Sequence, residues 1–195
     1  MRRKKTAGLC IAAAAVAAVI AVTAGPSFAA EGADWNELKA AAEAGRSYTL
    51  TDDVRVSYDG TVNVTGTAEI DLNGCQLIVE GDRGSDTDLF HVTGTLKVRS
   101  SADSGTMSGT SGRSVIGIDG GNVELDRVYL HGYKTDHIVY NDGGSMTSAG
   151  GRIFGLTTGN ADGGGLCLVN GASCEMLTGI ICRLEGQYVG GCLYR

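Results

Sequence analysis

Val64-Thr65-Gly66-Thr67-Ala68-Glu69-Ile70 returns 28 residues later as Val92-Thr93-Gly94-Thr95-Leu96-Lys97-Val98. The frame recurs as Gly121-Asn122-Val123-Glu124-Leu125 and as Gly144-Ser145-Met146-Thr147-Ser148. A weaker copy is Ala172-Ser173-Cys174-Glu175-Met176, and the steps are 28, 27, 23 and 28 residues. A period of this size marks one supersecondary unit stacked on its copies. Two places past the glycine stand Ala68, Leu96, Val123, Met146 and Cys174; four places past it stand Ile70, Val98, Leu125, Ser148 and Met176. The first, third and fifth places are mostly polar or charged. A period of two is the pattern of a strand with one buried face, and Gly, Asn and Asp punctuate the rest of each unit as turns. Every copy runs in the same chain direction, so stacking them makes a parallel sheet. The expected fold is all-β, a parallel β-helix of about five to six coils, right-handed because parallel crossovers almost always are. Leucine-rich repeats share the period, but their L-x-x-L-x-L frame is absent.

Charge supports this register. The third place carries Glu69, Lys97 and Glu124; the fifth carries Asp71, Arg99 and Asp126. Both files alternate in sign. Stacked strands lie about 4.8 Å apart, where unlike charges attract and like charges repel. A slip of one residue would turn these charges into the core.

Ahead of the coils, Asp34 and Glu37 have capping-box spacing. Trp35, Leu38, Ala41 and Ala42 form a short apolar stripe that Gly45 ends. Residues 34–44 are expected to form a helical lid over the first hydrophobic layer, with 48–56 leading into the first coil. The division is thus 1–30 signal peptide, 31–56 capping helix and lead-in strand, and 57–195 coils, the last incomplete. Gly164-Gly165-Leu166-Cys167-Leu168 is echoed by Gly190-Gly191-Cys192-Leu193-Tyr194 just before Arg195. The expectation is an open C-terminal edge that pairs with another chain, or a chain that is the N-terminal piece of a larger surface protein.

The signal-peptide reading rests on Arg2, Arg3, Lys4 and Lys5, then the apolar run from Leu9 to Ala24, then Ser27-Phe28-Ala29. That order of basic, apolar and small residues predicts export with cleavage near Ala29 or Ala30, and the run is shorter than the ~20 residues of a spanning helix. The expected location is secreted or cell-surface, with no membrane attachment after cleavage. Removing four basic residues and no acid takes the net charge from −6 to −10. Such a chain repels nucleic acid, so no nucleic-acid partner is expected. The 31 glycines show no collagen period, and 43% hydrophobic residues exceed what a disordered chain carries. Cys75, Cys167, Cys174, Cys182 and Cys192 remain after cleavage. Without C-x-x-C spacing they do not suggest zinc, and they read as buried thiols rather than as a disulfide framework. No metal or cofactor is expected.

The chain resembles right-handed parallel β-helix proteins of the pectin-lyase-like superfamily. It is most similar to glycine-rich repetitive bacterial surface proteins of adhesin-like type, whose coils read roughly G-G-T-x-T-[ML]-x-G-G-x-I-x-G-N. The matching stretches run from Gly143 through Gly144-Ser145-Met146 to Gly155 and from Gly171 to Ile181. Leu72-Asn73-Gly74 resembles the turn of their first coil, and Trp35-Asn36-Glu37-Leu38 resembles their N-terminal helix. The resemblance implies polysaccharide lyases, polysaccharide hydrolases or non-catalytic stalks.

Chemistry, if present, is expected in the coil after Gly121. It holds the candidate acids and bases Asp126, His131, Asp136 and His137, and the candidate sugar-binding residues Tyr129, Tyr133, Tyr140 and Lys134. Hydrolysis needs an acid and a base flanking the glycosidic bond; proton abstraction needs a base, often beside carboxylate-held calcium. Against this, Asp126 already belongs to a charge file, the histidines lack a G-H-G context, and the aspartates of 81–88 and 160–164 read as turn residues. The expected function is a secreted, non-catalytic, surface-associated module with a polysaccharide or host glycan as partner. The alternatives are a polysaccharide lyase or glycoside hydrolase, and a fragment without function of its own.

Overall fold

A computed structural model describes residues 33–157, 165–185 and 192–193. The expected signal peptide and the 160–164 turn lie outside these residues. Helix α1 (Ala33–Glu43) is followed by strands alone. The first coil holds β1 (Ser47–Thr49), β2 (Val54–Ser57) and β3 (Val62–Val64). The second holds β4 (Thr67–Asp71), β5 (Gln76–Glu80) and β6 (Asp88–Val92), and the third β7 (Thr95–Arg99), β8 (Gly105–Gly112) and β9 (Ser114–Asp119). From the fourth coil a single long strand turns the first corner: β10 (Asn122–Thr135) with β11 (Val139–Asp142), then β12 (Ser145–Thr157) with β13 (Leu166–Val169), then β14 (Ser173–Glu185) with β15 (Cys192–Leu193).

All of these strands pair in parallel with their counterparts one coil away. The chain is a parallel β-solenoid of about five turns with three faces. The first face stacks β1, β4, β7 and the leading halves of β10, β12 and β14. The second stacks β2, β5, β8 and the trailing halves of the same long strands, and the third stacks β3, β6, β9, β11, β13 and β15. Among the described residues β14 is bonded on one side only, to β12.

The register is the one the repeat predicts. Glu69 faces Lys97, which faces Glu124; Asp71 faces Arg99, which faces Asp126. Inward positions form files, such as Ala68–Leu96–Val123–Met146 and Ile70–Val98–Leu125, and most of these side chains are fully buried. Each such aliphatic side chain contributes roughly 1.5–3 kcal/mol of burial. The repeat glycines keep their place because the backbone stacks tightly there. A Cβ on Gly94 would lie 2.2 Å from the Gly66 carbonyl oxygen, and one on Gly121 would lie 2.6 Å from that of Val92.

Two expectations need correction. Asp71 is not an exposed member of its file but 4% exposed. Its Oδ1 accepts the Asn73 and Ser101 amides, each at 2.9 Å, so the carboxylate bolts the corner together. That corner is the Leu72-Asn73-Gly74-Cys75 turn, with φ of 50° and 81° at its centre and a Cys75 N–H to Leu72 carbonyl bond of 2.7 Å. These angles are those of a type I′ turn and explain Asn followed by Gly. The second correction concerns Asp34, which lies inside the first helical turn. With Glu37 it accepts the Tyr48 hydroxyl, at 3.3 and 3.4 Å, instead of forming a capping box.

The helix is the expected lid. Trp35, Leu38, Ala41 and Ala42 are buried, and the Trp35 indole meets Phe90 edge-on at 6.4 Å while donating to Asp59 at 2.9 Å. Gly45, at φ 65°, closes the helix with bonds from its amide to Ala42 and from the Arg46 amide to Ala41. The segment after the helix is already part of the solenoid, since β1 and β2 are rungs bonded to β4 and β5.

Candidate functional site

Strand β10 distributes the candidate residues over different surfaces. Its Arg127, at φ 57°, turns the chain from the first face to the second, and Lys134, at φ 56°, disturbs the ladder before the third. Between them, alternation places Val128, Leu130 and Gly132 inside and Tyr129, His131 and Tyr133 outside. Asp126 stays on the exposed corner, 3.8 Å from the Arg127 Nε. Asp136 follows the far corner, and His137 and Tyr140 belong to the third face, with their rings 5.5 Å apart.

This separation bears on chemistry. Asp126 and Asp136 stand at opposite ends of the trailing half of β10, some 25 Å of extended chain at about 3.3 Å per residue. The carboxyl pairs of glycosidases lie about 5–9.5 Å apart. The two aspartates therefore do not form one acid–base pair across a bond.

On the second face, His131 stacks on Phe154 with ring centres 4.7 Å apart and planes within 10°. Arg152 lies over the Tyr129 ring at 5.6 Å, and the Lys134 ammonium over the Tyr133 ring at 5.5 Å. Burial lowers the pKa of the His131 imidazole and keeps it toward the neutral form. Tyr133 is 42% exposed.

The third face holds a cluster that residue-type reasoning missed. Asp88, itself buried, accepts Arg113 Nε at 2.9 Å, Arg113 Nη2 at 2.5 Å and the Ser114 hydroxyl at 2.6 Å, with His91 Nδ1 at 3.4 Å. The carboxylate fills the space over Gly117, where a Cβ would sit 2.0 Å from Oδ2. Arg113 also covers the Tyr140 ring at 4.6 Å, and its bond to Asp88 raises its pKa. Burial, with Asp142 nearby, raises the pKa of the Tyr140 hydroxyl. The usable signal was spacing, because Asp88 precedes Arg113 and Ser114 by one coil length. Both Asp88 oxygens are engaged, so the cluster ties consecutive coils together, and a proton-transfer role would have to break it.

Arg83 is buried beside this corner. It donates to the Thr110 carbonyl at 3.0 Å and the Ser114 carbonyl at 2.8 Å, and burial pulls its pKa down to about 10. A cleft of about 320 Å³ between α1 and β1 is lined by Glu37, Arg46 and Tyr48 among others. Burial and the two carboxylates push the Tyr48 hydroxyl up to about 12. Among the described residues, no three His, Cys, Asp or Glu side chains gather as a metal would require, and no helix is long and apolar enough to cross a membrane. Cys167 is buried and Cys75 and Cys174 are partly so, and burial raises the thiol pKa of the latter two.

Comparison with protein-family models, with curated proteins and with solved structures returns no match to this chain.

Proposed function

We propose that this chain is a secreted, non-catalytic β-helix module of the pectin-lyase-like type, surface-associated and adhesin-like, which holds carbohydrate on an outer face. The observation that carries the reading is the outward row Tyr129, His131 and Tyr133 on one rigid rung. Aromatic faces are the natural platforms for the apolar faces of sugars, and side chains set on a strand backed by a packed core bind with little ordering cost. The wide separation of Asp126 and Asp136 supports binding over turnover.

The test is a glycan array probed with the exported protein, followed by reducing-sugar and unsaturated-product assays on every glycan retained. Retention that falls with Tyr129→Ala and Tyr133→Ala, without turnover, supports the reading. Turnover abolished by Asp136→Ala overturns it in favour of an enzyme. The export part has its own check: the mass of the exported chain should begin near residue 30, and retention of the first 29 residues refutes it.

A further inference from the structure

The carbohydrate reading leaves open where a sugar would sit and of what kind it would be. Across the second face the side chains rise and fall by rung. The outward residues of β8 are Thr106, Ser108 and Thr110, all short. One rung away stand Tyr129, His131 and Tyr133 of β10, each in register with its β8 partner. On the other side stand Gln76 and Ile78 of β5, in register with Thr106 and Ser108. The short row is therefore the floor of a trough that runs along the strand, across the solenoid axis.

The wall is oriented by its stacking. His131 and Phe154 are register partners on adjacent strands. Their rings lie 4.7 Å apart and nearly parallel, which is the rung spacing itself. The ring normal thus points along the solenoid axis. One face of His131 rests on Phe154, and the other looks over Ser108 toward Ile78. Arg152, the register partner of Tyr129, covers that ring from the Phe154 side in the same way. The two walls are two rungs apart, about 9.6 Å. Contact distances of about 3.5–4.0 Å on each side leave room for a single flat ring between them.

We propose that this slot takes one pyranose ring on edge, from an uncharged glycan chain lying along β8. Such a ring has apolar faces for His131 and Ile78 and a hydroxylated edge for Ser108 and Thr106. The Thr110 hydroxyl is held by the Gly81 backbone, accepting its amide at 2.8 Å, and it closes one end of the floor. No unpaired charge lines the slot: Glu80, at the end of β5, is bonded to Arg55 at 3.1 Å, and the remaining walls are Gln, Ile, Tyr and His. A nucleobase has a comparable flat shape, but a chain of net charge −6 repels the phosphates that accompany it. The proposal rests on the carbohydrate reading above and specifies its site and sugar class.

The experiment is calorimetric titration of the exported chain with cello-, xylo- and mannohexaose, with an oligogalacturonate and with a single-stranded oligonucleotide. Ser108→Tyr fills the slot, and Ile78→Asp places a charge on its far wall. Both are outward positions, and thermal melts verify folding. A neutral hexaose should bind, each variant should weaken it by about tenfold or more, and Ser108→Ala should weaken it less. Neutral binding that survives both slot variants but falls with Tyr133→Ala places the sugar elsewhere: the slot is wrong and the carbohydrate reading stands. Binding of the oligogalacturonate alone overturns the sugar class, and binding of the oligonucleotide alone overturns both. Failure of every glycan, on this panel and on the array, sinks both readings.

Discussion

Asp88 and Arg113 stand one coil apart on the third face, joined by two hydrogen bonds to the two carboxylate oxygens at 2.9 and 2.5 Å. The Asp88 side chain is only 2% exposed and that of Arg113 31%. Removing the arginine alone leaves a buried carboxylate with the Ser114 hydroxyl and His91 as its remaining partners. Arg113→Met should therefore cost roughly 2–4 kcal/mol in urea unfolding, a little below the range for fully buried pairs. Asp88→Asn combined with Arg113→Met should recover part of that loss, because the uncompensated charge is gone. An Arg113→Met protein as stable as the parent would show that the clamp contributes nothing.

The surface file offers a test of partner choice. Lys97 is in register with both Glu69 and Glu124, yet its ammonium pairs with Glu124 at 2.9 Å, and Arg99 takes Glu69 at 2.6 Å and Asp71 at 3.2 Å. Lys97→Glu should destabilise the fold. Adding Glu124→Lys should restore more of the loss than adding Glu69→Lys, as read from melting temperatures at low salt, and the difference should shrink at high salt. Equal recovery from both partners would contradict this pairing.

Asp71 and Asp59 set the acid limit. Burial opposes ionisation of each, but the donors win. For Asp71 these are the Ser101 amide and hydroxyl, the Asn73 amide and Arg99; for Asp59 they are the Trp35 indole and Lys39. Both pKa values therefore lie below the ordinary 3.8. A carboxylate whose folded pKa is depressed stabilises fully above its unfolded pKa and loses that contribution as pH falls through the folded one. The melting temperature should be flat above about pH 5 and fall below pH 3.8, with a shallower fall in Asp71→Asn and Asp59→Asn. An unchanged slope in both variants counts against these bonds.

Two adjacent glycines separate steric from conformational demand. A Cβ on Gly121 would strike the Val92 carbonyl at 2.6 Å, whereas Gly120, at φ 66°, has open space around it. Gly120→Ala should cost roughly 1–2 kcal/mol from backbone strain alone. Gly121→Ala should cost more, by 1–3 kcal/mol of overpacking or beyond. Chemical denaturation of the two variants ranks them, and the reverse order would mean that the coils do not stack at that spacing.

The lid gives a fourth comparison. Trp35→Ala empties a side chain that is 2% exposed and orphans part of the Asp59 bonding, so it should cost about 3–5 kcal/mol. Trp35→Phe should cost less, since it keeps the edge-on contact to Phe90. Equal losses would show that the indole bond outweighs the packing.

Alone, the sequence determined the solenoid, its rung register and its helical lid. Those features rest on strict periodicity: side chains two residues apart share a face, and a fixed coil length brings equal positions together, so Glu69, Lys97 and Glu124 had to form one file. The corners were beyond it. Whether a chain turns after Asp126 or after Lys134 depends on single left-handed residues, and those turns divided Tyr129, His131 and Tyr133 from His137 and Tyr140. The burial of Asp71, the grip of Arg113 on Asp88 and the trough over Ser108 likewise belong to tertiary structure alone. Each depends on the lengths and directions of side chains contributed by different coils, and that is a distance in space which no spacing along the chain encodes.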